Sequence, residues 1–238
     1  DSSTSRGLGD VYKRQSENAE IDTLYVYQNL NRISKSPMSV YFKNKSLHLI
    51  CSSPERYLKK QNTKLTSQPI KGTSRRDHDL NIDKSLKDKL KLDPKERSEN
   101  IMIVDLVRND MSRFSIPGSV KVKELCEVYP FEQVHQMIST IESQVESSLK
   151  IGKIIAGSFP MGSMTGAPKV KAMKIIDELE VTKRGLYSGA VGFIDPNGDF
   201  DFNVVIRSLI YDSMTKYLSF HVGSAITVSY THLRAHET

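Results

Sequence analysis

The stretch TGAPKVKAMKIIDELEVTKRGLYSGAVGFIDPNG, residues 165–198, reads as one helix followed by the opening of a β-rich end. Val170, Met173, Ile176 and Leu179 recur three residues apart behind Ala167-Pro168, the spacing of a helix face, with Thr165 placed as a cap. Ser188–Ile194 then reads as a strand, Asp195-Pro196-Asn197-Gly198 as a turn, and Asp201–Tyr211 and Lys216–Val222 as further strands. Working toward the N-terminus, Phe131–Val145 predicts a helix, with Val134, Met137, Ile138, Ile141 and Val145 on one face. Ser119–Val128 predicts a strand. Asp93 caps a helix running to about Asn109, with Pro94 in its first turn and Glu96 three residues after the cap. The charged stretch 74–98 reads as a solvated loop and helix face. Lys64–Gln68 reads as a strand, and Met38–Phe42 with Leu47–Cys51 as a hairpin around Lys43-Asn44-Lys45-Ser46. Residues 22–34 form a short amphipathic helix through Leu24, Tyr27, Leu30 and Ile33. Helices and strands mix without regular alternation, which predicts an α+β fold in a single domain.

Composition bounds the function. The 238 residues are 38% hydrophobic and 26% charged, a globular balance. No apolar run reaches the roughly 18 residues of a membrane-spanning helix. Cys51 and Cys126, without a CxxC pair, offer no disulfide framework and no thiolate zinc site, and suit a reducing, cytoplasmic setting. The net charge of +6 lacks a clustered basic stripe with interleaved aromatics, so nucleic-acid binding is disfavoured; a field that attracts an acidic small molecule accounts for it. Residues 1–15 (DSSTSRGLGDVYKRQ) and 228–238 (VSYTHLRAHET) resemble translated sequencing-adapter DNA and are expected to be non-native tails. They leave 16–227 as the domain, shortened at both ends, with a net charge of +5 once the +1 of the leading tail is removed.

Several positions carry candidate chemistry. Glu96 and Glu99 lie three apart on one helix, so their carboxylates share a face and suit magnesium, although a cap and a surface glutamate would look the same. The loop GSFPMGSMTGAPK, residues 157–169, leads into a helix with Ser163, Thr165 and Lys169 near free N–H groups, suited either to an anion or to a plain cap; it lacks P-loop spacing. Lys71 lies in QPIKGT and is a nucleophile only if its surroundings lower its basicity. Glu55, in SSPERYL, is either a general acid or the partner of Arg56. Arg207, in VVIRSLI, needs an anionic partner, whether substrate carboxylate or protein. Tyr187 reads first as a core aromatic.

Taken in order, SSPERYL, QPIKGT, ERSENIMIVDLVRND, PGSVKV, VHQMIST, FPMGSMTGAPKVKAMKIIDELE, YSGAVGF and VVIRSLI resemble the chorismate-utilising enzymes across residues 22–227. The resemblance implies two packed β-sheets with outer helices around a central cleft. It implies Glu55 as the acid assisting loss of the C4 hydroxyl, and Glu99 with Glu96 as the magnesium site. Thr73, Ser163, Lys169, Tyr187, Gly189 and Arg207 would bind substrate, Arg207 and Tyr187 at a carboxylate. Lys71 separates the members: its PIKGT is similar to aminodeoxychorismate synthases, where the amine adds at C2 and ammonia then displaces it from C4. Anthranilate synthases usually have alanine there. The implied reaction is chorismate plus ammonia to 4-amino-4-deoxychorismate for folate, with ammonia from a glutamine amidotransferase subunit, and no nucleic acid or membrane. An anthranilate synthase component I, or an inactive chorismate-binding fragment, is the alternative. Three departures stand out: Gln136 replaces a frequent histidine, the proline and glycine that often follow KGT are absent, and a glutamate-bearing helix expected after His221–Thr227 is missing.

Overall fold

The computed structural model describes residues 8–226. The chain runs β1 (Leu8–Asn18), α1 (Thr23–Ser34), β2 (Met38–Asn44), β3 (Leu47–Ser53), β4 (Arg56–Gln61), β5 (Lys64–Gln68) and β6 (Ile70–Arg75). Helices α2 (Leu80–Leu92) and α3 (Pro94–Ser112) follow, then β7 (Lys121–Pro130), β8 (Val134–Gln144) and α4 (Ile151–Ser158). A single 3₁₀ turn at Gly162–Met164 precedes β9 (Gly166–Ala167) and α5 (Lys169–Leu179). The chain ends in β10 (Ala190–Ile194), β11 (Phe200–Val204), β12 (Ser208–Asp212) and β13 (Tyr217–Ile226).

Two antiparallel sheets result, so the fold is α+β as expected. One is six-stranded, β2-β3-β12-β13-β1-β9. The other is seven-stranded, β10-β11-β4-β5-β8-β6, with β7 on the second edge of β8. Strand β8 is the axis of this second sheet. Its first half pairs with β6 and its second half with β5, while β7 runs along its other edge. Pro69, which has no N–H to give a ladder, marks the break between β5 and β6; its carbonyl still accepts from Ser139 N at 3.3 Å.

The helix expected over Phe131–Val145 is therefore a strand. A strand covered on both faces buries consecutive residues, so its apolar positions fall on helical spacings by accident; Met137, Ile138 and Ile141 are all buried. The single strand expected over Asp201–Tyr211 is two strands in different sheets. The stretch read as solvated, 74–98, holds the end of β6, all of α2 and the start of α3, with Asp83 and Leu90 buried. Residues 8–15, set aside as a tail, pair along β13 as most of β1, with Gly9 opposite Ile226 and Gln15 opposite Phe220. Residues 228–238 lie outside the described residues.

Local chemistry explains the helix starts. The Asp22 carboxylate accepts from Leu24 N and Tyr25 N, the Asp79 carboxylate from Asn81 N and Ile82 N, and the Asp93 carboxylate from Lys95 N and Glu96 N. Thr165 does not cap α5, because its Oγ1 donates to Met161 O at 3.0 Å; Pro168 occupies the cap position. The apolar face read on α5 leaves Val170 and Leu179 exposed, and Val170 lines an open groove of about 620 Å³. A buried ion pair clamps α5 to α3: Lys169 Nζ donates to Asp110 Oδ2 at 2.5 Å, and also to Ser158 O and Pro160 O. A second polar knot joins α2 to β8. Asp83 Oδ1 takes Arg76 Nε at 2.8 Å, Asp77 N at 3.0 Å and His135 Nε2 at 2.9 Å.

Two outcomes follow for stability. Lys169→Met strands the Asp110 carboxylate in the core, and urea unfolding should show a loss of about 3–5 kcal/mol. Arg76, chiefly through its hydrogen bond, holds the Asp83 carboxyl well below its ordinary value. A depressed acid stabilises the fold above its unfolded-state pKa and loses that contribution as pH falls toward the folded value. Melting temperature should thus fall on acidification below about pH 5, and Asp83→Asn should flatten that slope.

Candidate active site

The two sheets are joined where the chain crosses between them twice. Pro54-Glu55 links β3 to β4, and residues 205–207 link β11 to β12. Main-chain hydrogen bonds fasten the crossings together, Ser52 N to Arg207 O at 3.1 Å and Val204 N to Glu55 O at 3.0 Å. The start of β10 joins the same seam through Ser188 N to Val205 O at 2.9 Å and Val205 N to Gly189 O at 2.8 Å. The fold thus gathers Glu55, Arg207, Tyr187 and Gly189 from three separate segments. A side chain at Gly189 would bring Cβ to 2.9 Å from Leu186 O, so this close approach requires glycine.

Arg207 is not inside a strand, as its apolar flanks suggested. It sits at the corner with φ at 50°, a left-handed conformation that turns the chain from one sheet into the other. Its Nη1 and Nη2 each lie 3.1 Å from the Gln136 side-chain amide, whose oxygen faces the guanidinium when the amide is oriented by hydrogen bonding. Arg207 keeps much of its surface open. Protein packed on its inner side pulls the guanidinium below its ordinary value, and the negative charge of Glu55 opposes that pull. Arg56 is not the partner of Glu55: it grips Asp201 through Nε at 2.8 Å and Nη2 at 3.1 Å. Glu55 is 5% exposed. The Tyr187 ring stacks on His221 of β13 at 4.9 Å between centroids and 9° between planes.

Lys71 lies in a β-bulge. Ile70 pairs with Ile138 and Thr73 with Gln136, so β6 carries one extra residue across this interval. Gly72 supplies the required φ of 98°, and an added Cβ would stand 3.1 Å from Met137 Cβ and 3.3 Å from Glu96 Oε2. The bulge brings β6 directly beneath α3. Asn100, buried on α3, donates through Nδ2 to Lys71 O at 3.1 Å and to Met137 O at 3.2 Å, and its Oδ1 accepts from Ser139. Glu96 and Glu99 project from the preceding turn of α3, with Lys95 Nζ 3.4 Å from one and 3.9 Å from the other. Among the described residues no group of three or more metal-ligating side chains forms. Gln136 connects the two halves of the site, opposite Thr73 in register and against Arg207.

Two candidates from the glycine loop end differently. Ser163, in the 3₁₀ turn, lines a small cavity with Glu55. Arg184 ties that turn to the seam, with Nη1 donating to Met164 O at 2.7 Å and to Ser188 Oγ at 3.1 Å. Lys169, expected to bind substrate, instead gives its three donors to Asp110, Ser158 and Pro160. Burial raised its demand for acceptors, and the protein supplies them, so its place is structural. Asn100, Gln136 and Asp110 are the site-shaping residues that periodicity missed. Each is a polar residue within or beside an apolar run, and each is buried.

Comparison with known proteins places this geometry. The family model for chorismate binding enzymes matches residues 12–229. Aminodeoxychorismate synthase component 1 of Salmonella typhimurium is 40% identical over 206 residues, covering 84% of this chain and 45% of that protein. Anthranilate synthase alpha subunit 2 of Arabidopsis thaliana is 40% identical over 196 residues, covering 82% of this chain and 32% of that protein. The crystal structure of anthranilate synthase component I from Streptococcus pneumoniae superposes with a TM-score of 0.83 at 30% identity, over 92% of this chain and 48% of that one. The chain therefore spans under half the length of these relatives. With the family model matched over most of its residues, the chain belongs to the chorismate binding enzymes.

Proposed function

We propose that this chain carries the chorismate-converting core of an aminodeoxychorismate synthase component I, making 4-amino-4-deoxychorismate from chorismate and ammonia for folate synthesis. One observation carries the reading: Lys71 sits in a glycine-enabled bulge beneath α3, on the strand that also bears Thr73. Similarity to aminodeoxychorismate synthase component 1 proteins supports it. On this reading Arg207 and Tyr187 hold a substrate carboxylate, and the main chain at Gly189 lets the ring approach. The Lys71 amine forms a bond to C2 while Glu55 gives a proton to the departing C4 hydroxyl, which leaves as water. Ammonia then bonds to C4, the C2–N bond breaks, and Lys71 recovers its amine. Asn100 positions Lys71 by holding its carbonyl. A separate glutamine amidotransferase subunit supplies the ammonia, and the buried thiols of Cys51 and Cys126 suit a cytoplasmic setting. No described helix is long and apolar enough to cross a membrane.

Magnesium belongs to the same reading. Glu96 and Glu99 offer hard oxygen donors one turn apart, the mode in which this ion uses one or two protein carboxylates, waters and substrate oxygens. When bound it neutralises one carboxylate of the dianionic substrate. Glu99→Gln should weaken magnesium binding, read by calorimetric titration in the presence of chorismate, by about tenfold or more. An unchanged titration would remove Glu99 from the metal site.

The decisive assay supplies chorismate, magnesium and an ammonium salt and identifies the product. 4-Amino-4-deoxychorismate is expected, and Lys71→Ala should abolish it; Glu55→Gln should slow it by about 10²- to 10⁴-fold. Anthranilate as the main product would favour the second reading, anthranilate synthase component I, for which the Arabidopsis similarity is the specific support. Chorismate binding without turnover would mark a binding fragment.

A further inference from the structure

Two β-bulges flank β8. On one edge β6 carries an extra residue between Ile70 and Thr73, which pair with Ile138 and Gln136. On the other edge β7 carries one between Glu124 and Glu127, which pair with Thr140 and Ile138, and Cys126 turns the chain there with a left-handed φ of 56°. A bulge beside a site re-aims the side chain it carries, and the first of these two carries Lys71. Helix α3 lays Asn100 across both, within reach of Lys71 O on one side and of Cys126 Sγ on the other.

The hydrogen bonds that join the bulges run in one direction. Cys126 N can only donate, and it donates to Ser139 Oγ at 2.9 Å. Ser139 Oγ in turn donates to Asn100 Oδ1 at 2.5 Å. Asn100 Nδ2 donates to Lys71 O at 3.1 Å and to Met137 O at 3.2 Å, two groups that can only accept. The Cys126 thiol, 3.7 Å from Asn100 Oδ1 and 3.9 Å from Arg97 O, is a weak donor with one proton for two acceptors. Turning the Asn100 amide over would set its oxygen against two carbonyl oxygens. With a donor fixed at one end and acceptors at the other, the side chain at 139 must both accept and donate, which a hydroxyl does and a methyl group does not. Cys126, Ser139 and Asn100 are each at most 1% exposed, so every member of the chain depends on the next.

We propose that Ser139 is a positioning residue that, through Asn100, fixes the bulge carrying Lys71 and so decides whether nitrogen is added at C4 or at C2 of the substrate. The inference rests on the amination reading above, in which the Lys71 amine occupies C2 while ammonia bonds to C4. When the bulge slackens, the amine reaches C2 less often. Ammonia then bonds to C2 itself as the ring double bonds shift and the C4 hydroxyl, protonated by Glu55, leaves as water. The new C2–N group gives up a proton to solvent, and the nitrogen ends on the other carbon.

The test reads the ratio of C4- to C2-aminated product from the full chain supplied with chorismate, magnesium and an ammonium salt. A smaller folded fraction lowers both products alike, so a merely structural role does not move the ratio. Ser139→Ala should lower it by about tenfold, the effect of one lost buried hydrogen bond. In an Asn100→Ala chain, adding Ser139→Ala should lower it no further, because the two residues act in series. An unmoved ratio in Ser139→Ala, or a second independent drop in the double variant, would overturn the proposal. Neutron diffraction from crystals of the unaltered chain in heavy water requires neither a folded variant nor turnover. It should place the Ser139 deuteron on Asn100 Oδ1 and the Asn100 Nδ2 deuterons on the Lys71 and Met137 carbonyls; any other arrangement would also overturn it. Anthranilate as the main product of the unaltered chain removes the amination reading and the proposal together. 4-Amino-4-deoxychorismate with an unmoved ratio in Ser139→Ala removes the proposal alone.

Discussion

The double crossing between the sheets is the constraint on which the rest of the molecule depends. Strands β3 and β12 pair in one sheet, β4 and β11 in the other, and both crossings span five residue steps, from Cys51 to Arg56 and from Asn203 to Ser208. Equal lengths keep both ladders in register, and buried amides at the crossing find partners in each other instead of in water. The corner positions escape the demands of a strand: they pack no pleat and obey no alternation. Glu55 and Arg207 can therefore carry charge where an apolar residue would otherwise be required, and Gly189 joins the same seam through Val205 N.

Around the seam, polar residues are buried only where the backbone or a counter-charge answers them. Asn100 spends its amide on two carbonyls, Gln136 spends its own on Arg207, and Asp201 receives Arg56 in a two-point grip. These contacts set positions more than they add stability, since each side chain gave up comparable bonds to water. The Lys169–Asp110 pair belongs to the same class. Its role is to fix where α5 begins relative to α3, and so where the turn bearing Ser163 can lie.

What could be read from sequence follows what is local. The Asp93 cap, the hairpin of Met38–Phe42 with Leu47–Cys51 and the Asp195–Gly198 turn are governed by contacts between near neighbours in the chain, so the local sequence displays them. Strand β8 reads as a helix because a central strand has no exposed face, and its polar residues are buried along with its apolar ones. Arg207 announced itself, being a cation among apolar neighbours, but its left-handed corner depends on partners 150 residues away and left no trace nearby. Lys169 beside a glycine loop looked like an anion site because Asp110, 59 residues earlier, could not be placed against it. The family resemblance supplied the α+β architecture correctly, while the bulge at Lys71 and the bridging role of Gln136 became visible only through the register of β6 on β8.

Lys95 gives the acidic face of α3 a property that its two glutamates alone would lack. With its ammonium near both carboxylates, that face already carries a counter-ion of its own. Two carboxylates on one helix face would repel each other; the ammonium between them halves that net charge, so α3 carries its acidic pair without an outside cation.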